Sequence, residues 1–176
     1  QAQGTCAPAG EWTVPGAGRV AAQEILSRAA RESVVLLGES HDNADQHRWQ
    51  LNTIAGLAAL HPRLVLGFEM FPRRVQGALD RWVAGELGEE EFLKASDWYR
   101  VWGYDTAFYM PLFHFARLNR IPMIALNVER EFVRTVGAKG LEEVPVGKRE
   151  GVSDPAPATE PYVDRLFAAY SEHPEK

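Results

Sequence analysis

The sequence predicts an α/β protein, a mainly parallel sheet covered by helices. Two observations carry that expectation: apolar residues follow one another almost without break at Val34–Gly38, Leu64–Glu69 and Ile121–Asn127, and the stretches between them show three-to-four apolar spacing. A strand drops its polar side only when both of its faces are covered, as in a parallel sheet with helices packed on it.

The elements follow in order. Residues 1–18 hold Gly and Pro without periodicity and read as an extended tail, anchored by Trp12, on a single α/β domain spanning 19–176. Ala21–Arg31 reads as a helix with Ile25, Leu26 and Ala29 inward, and the β-branched Val34–Gly38 as the first strand. Asp42 or Asn43 can cap a second helix reaching Leu60, with His47, Leu51, Ile54 and Ala58 on one face and Pro62 as its stop. Leu64–Glu69 is the second strand, and Pro72 opens a helix striped by Val75, Leu79, Trp82 and Val83. A polar stretch over 85–91 leads to a short helix, and the aromatic-rich Trp98–Phe115 segment feeds another that ends near Asn119. Ile121–Asn127 is the third strand, followed by a helix over Glu129–Val136, a long loop over 137–160 and a final amphipathic helix over Tyr162–Tyr170.

Composition narrows the function. The 176 residues, 45% hydrophobic and 24% charged, suffice for an ordered core and exclude disorder for the bulk of the chain. A formal charge of -5 gives no net positive field to recruit phosphate backbones, so nucleic acid is not an expected partner. No apolar run approaches the ~20 residues that cross a bilayer, so no membrane span is expected. Cys6 is the one cysteine and cannot form an internal disulfide. Gln1 in place of Met points to removal of an N-terminal segment, and so to export or trimming.

Each strand run ends in polar residues: Gly38-Glu39-Ser40-His41, then Glu69, then Asn127 with Glu129 and Arg130. Parallel strands bring such ends to one edge, where α/β sheets place their ligands. Gly38 permits a tight turn. Glu39, His41 and Glu69 form a candidate catalytic set, with His41 and Glu69 as possible ligands of a divalent metal and Glu39 as general base on a bound water. The bland alternative stands beside it: a strand-end Glu also pairs with an arginine, here Arg73 or Arg130, and a His after a turn also serves as hydrogen-bonded support. His47 and Gln50 read as supporting positions on the second helix or as packing and surface residues there. The six-residue step from His41 to His47 is not the one-turn spacing of a helical metal face. The aromatic segment reads as core, or as the wall of a pocket for a flat apolar ligand. Phosphate-loop, GxGxxG, GxSxG and HExxH patterns are absent, which removes nucleotide-binding and serine-hydrolase readings.

The blocks VVLLGESHDNADQHRWQ, LVLGFEMFPRRVQ and WGYDTAFYMPLFHFARLNRIPMIALN lie within residues 34–130. Together they resemble the ChaN-like bacterial haem-binding protein family, a branch of the group that includes the Tiki proteases and erythromycin esterases. The resemblance implies an α/β fold with a parallel sheet, an exported protein, and haem binding in iron acquisition by a homodimer with tyrosine ligation. Tyr104, Tyr109, Tyr162 and Tyr170 can in principle supply a phenolate, a known axial ligand, and Tyr109, Tyr162 and Tyr170 are taken as the candidate haem ligands. It also implies that Glu39 and His41 at the GxxH position, with Glu69 at the second acidic position, can support metal binding or acid–base chemistry. A metal-dependent peptidase or esterase is therefore the alternative function. Cys6 follows Gln3-Gly4-Thr5 and is not the first residue after a lipobox, so soluble periplasmic or secreted residence is expected rather than a lipid anchor. Family members usually continue through further helices, so a C-terminally truncated domain is expected.

Overall fold

A computed structural model describes Pro8 and residues 10–171; Cys6 and His173 lie outside them. The chain divides into two compact units, 1–127 and 128–176. The first opens with a short antiparallel hairpin, β1 (Trp12–Val14) and β2 (Gly18–Val20), with Trp12 opposite Val20. Gly16 in the turn between them and Gly18 at the start of β2 have φ angles of 79° and 80°, which favour a residue without Cβ. Trp12 packs on Trp49 with ring centroids 5.4 Å apart, which ties the hairpin to the second helix.

Helix α1 (Ala22–Ala29) lies against α2 (Ala44–Leu60) through Leu26, so close to Gly56 that a Cβ there would meet Leu26 Cδ1 at 2.7 Å. Asn43 caps α2 by accepting from Asp45 N at 3.0 Å and Gln46 N at 3.1 Å, satisfying two amides that a helix start leaves open. The face of α2 turned inward carries His47, Gln50, Thr53, Ile54 and Leu57.

Strand β3 (Leu66–Pro72) pairs in parallel with β4 (Met123–Asn127), Leu66 beside Met123 and Phe68 beside Ala125, with an irregularity between Phe68 and Pro72. The link between them runs through a 3-10 turn at Arg73–Val75, then α3 (Gln76–Ala84), α4 (Glu89–Ala95), α5 (Trp98–Val101) and α6 (Thr106–Leu118). Gln76 donates to Met123 O and accepts from Ala125 N, both at 2.8 Å. One side chain thus occupies the edge of β4 that faces away from β3, where unpaired backbone would invite another strand.

Leu66, Phe68 and Met70 face a core that continues through Phe71, Trp82, Phe92, Trp98, Tyr109 and Phe113. Its rings meet edge to face, as at Phe68–Phe113 (5.2 Å), or stacked, as at Trp82–Phe92 (4.7 Å). Both deepest indoles are satisfied: Trp82 donates to Phe113 O and Trp98 to Tyr104 O, each at 2.9 Å. The aromatic segment is therefore largely core.

The expected first strand is corrected here. Residues 34–38 are extended but join no ladder, so among the described residues the parallel sheet has two strands rather than three. The physical reason lies in its partners: Gln50 Nε2 takes Leu37 O at 2.9 Å, Leu37 packs on the core, and Val34 and Leu36 remain 73% and 89% exposed. An apolar run signals burial only when a second layer covers it. The architecture is a mixed α/β fold with a small parallel sheet.

The second unit comprises α7 (Arg130–Lys139), a loop with a 3-10 turn at Val146–Lys148, and α8 (Glu160–Ser171). Arg149 is buried in it, donating to Val144 O at 2.7 Å and pairing with Asp154.

Candidate functional site

The extended segment ends at Gly38, and the next residues turn Glu39 and His41 toward α2 and α6. Glu39 is 9% exposed, and its Oε1 lies 2.7 Å from Nδ1 of His41, which is 37% exposed. Glu39 Oε2 stands 3.6 Å from His47 Nε2. His47, in the first turn of α2, also approaches His41 O through Nε2 at 3.2 Å. With that proton donated to the carbonyl, Nδ1 of His47 is the bare nitrogen, a tautomer assigned from the hydrogen bonding. Gln50, three residues on, holds Leu37 O and so fixes the approach of the segment.

Helix α6 contributes Tyr109, whose hydroxyl donates toward His41 O at 3.3 Å and Glu39 Oε1 at 3.5 Å. Burial first, and then the negative charge of Glu39, push its phenol up to about 12. His47 stacks on Phe108 at 5.6 Å and meets Tyr109 edge-on at 4.4 Å. Trp102 and Tyr104 flank the His41 ring at 4.5 and 5.1 Å. Glu39 Oε2, His47 Nδ1 and Trp102 Nε1 are buried with no hydrogen-bond partner, three such atoms in one contiguous cluster.

Of the sequence-derived candidates in the same unit, Glu69 does not join this cluster. Glu69 sits on the exposed side of β3, and its carboxylate makes no hydrogen bond or ion pair with Glu39 or His41. Its carbonyl accepts from Asn127 Nδ2 at 2.8 Å, so Asn127 ties the ends of β3 and β4 together. Arg130 opens α7, and Tyr162 and Tyr170 lie on α8, 55% and 68% exposed. Trp102 and Phe108 around the imidazoles were not singled out from the sequence as site residues, and Tyr104 entered only as one of the phenols able to ligate haem iron. Their signal was the aromatic density after Trp98, which core packing explains equally well.

Among the described residues no group of three or more His, Cys, Asp and Glu is arranged to hold a metal ion, so the geometry lends no support to a divalent metal. No helix among the described residues is long and apolar enough to cross a membrane.

An α/β scaffold carrying an acid–imidazole turn does not by itself name an activity, because function lives in the site and not in the fold. Residues 25–176 match the family model described as haem-binding uptake, Tiki superfamily, ChaN, and the chain belongs to that family. Comparison with curated proteins and with solved structures gave no match.

Proposed function

We propose that this protein binds haem as the cargo of an uptake function, outside the cytoplasm in the periplasm or as a secreted protein, and works as a homodimer. The observation that supports haem is the stripe on α8: Tyr162, Val163, Leu166, Phe167 and Tyr170 recur at three-to-four spacing and all are exposed. Covering such a stripe gains roughly 25 cal/mol per Å² of apolar area. A porphyrin offers a flat apolar body, and its iron accepts phenolate, of which this stripe can supply two. Tyr109 is the weakest of the three phenol candidates, because ligation needs its phenolate and burial pushes that ionisation up to about 12.

Adding hemin to the protein should give a saturable Soret shift and a phenolate charge-transfer band. The double variant Tyr162→Phe, Tyr170→Phe should lose that band, and Tyr109→Phe should keep it. A wild-type protein that never saturates removes the proposal.

A second reading, hydrolysis of a peptide or ester, is favoured by the short hydrogen bond of His41 to the buried Glu39, an arrangement suited to a general base. Turnover of an ester and peptide panel that disappears in His41→Ala supports it. Inertness toward the panel, with divalent metals added, removes it.

A further inference from the structure

The two borders of the open stripe on α8 carry opposite charge. A helical turn takes about 3.6 residues, so Arg165, three positions after Tyr162, stands beside it on one border, within about 60° around the helix axis. Glu160 and Asp164 stand on the other border, three positions before Val163 and Phe167 respectively. All three charged residues are exposed, and Arg165 makes no hydrogen bond or ion pair with any described residue. The buried Arg149 of the same unit, by contrast, has its carboxylate in Asp154. An arginine stays charged at any working pH and offers a planar fork of N–H donors matched to a carboxylate.

A haem is apolar over its faces but carries two propionate carboxylates along one edge. With the ring laid on Tyr162, Leu166, Phe167 and Tyr170, that edge can follow either border of the stripe. Along Glu160 and Asp164 it meets like charge, which costs affinity. Along Arg165 a carboxylate meets a guanidinium of fitting charge and shape. We propose that Arg165 binds a propionate of haem and so sets which way round the porphyrin lies on α8. Its role is specificity for the acidic edge of the ligand, separate from the apolar contact and from iron ligation. The site lies on α8 of the second unit, and it rests on the reading that this stripe carries haem.

The test compares hemin with its dimethyl ester, in which both carboxylates are esterified and neutral. Each is titrated into the full chain in the same dilute detergent and followed at the Soret band. In Arg165→Met the affinity for hemin should fall about three- to fivefold, the upper range for an exposed ion pair, while the affinity for the diester stays as in the wild type. Unchanged binding of the diester also shows that the variant is folded. Arg165→Lys keeps the charge without the fork and should recover part of the loss, whereas Arg165→Glu should bind hemin more weakly than Arg165→Met does. Raising the salt concentration should shrink the difference between wild type and Arg165→Met for hemin. Equal losses for hemin and diester in Arg165→Met, or no loss for hemin, overturn the inference while haem binding stands. A wild type without a saturable shift on adding hemin overturns both.

Discussion

Tyr109 joins the core to the candidate site: 1% exposed, it packs against Trp98 at 5.2 Å while its hydroxyl reaches Glu39 and His41. Its phenol is pushed from 10.0 up to about 12 by burial and by Glu39. The folded state then holds the Tyr109 proton more tightly than the unfolded chain does. Stability from this residue is fully present below pH 10.0 and is withdrawn as pH climbs through about 12. Alkaline titration followed by tyrosinate absorbance should show one of the five tyrosines ionising late. Tyr109→Phe should remove that late step and flatten the alkaline loss of stability between the two values. A late step that survives in Tyr109→Phe would assign the shift elsewhere. The sequence named Tyr109 only as a haem-ligand candidate. Its role beside Glu39 depends on a contact spanning 70 residues, which no local pattern encodes.

At the scale of elements, helix starts and stops were readable because their causes are local. Asn43 caps α2 and Pro62 follows its end, both visible in the chain itself. Strand pairing is not local, and there the reading failed at residues 34–38: their β-branched composition matches β4, yet they join no ladder. Glu69 was readable as a strand residue, while the side on which it emerges depends on register and on which face meets the core. The amide of Gln76, closing the outer edge of β4, was likewise invisible in sequence. Gln76→Ala strands Met123 O and Ala125 N without their partner, and each unmet buried group costs about 1–3 kcal/mol. Urea unfolding should therefore show a loss of about 2–6 kcal/mol for the two groups together. A loss below about 0.5 kcal/mol, the usual range for surface substitutions, would mean that water replaces the amide freely.

For the whole molecule, stability concentrates in the aromatic core of the first unit. Phe113 contacts Phe68, Phe71, Phe92 and Trp98, joining α6 to β3, α4 and α5. Phe113→Ala should cost about 3–5 kcal/mol in chemical denaturation, enough to unfold a marginal domain. Phe113→Leu should recover much of that, and equal losses for both would point to a ring-specific contact instead of volume. By contrast, α8 has no buried residue, and its stripe is surface that the described residues leave open to solvent. The filled aromatic core of the first unit and, in the second, an open apolar stripe with two phenols are the contrast that favours a flat apolar ligand.

Hemin titration of the unmodified chain, followed at the Soret band against the same chain in denaturant, tests this most directly. Binding predicts a curve that bends and saturates for the folded protein, with the plateau absent after unfolding. A straight, non-saturating rise that is the same for folded and unfolded protein would contradict haem as the ligand.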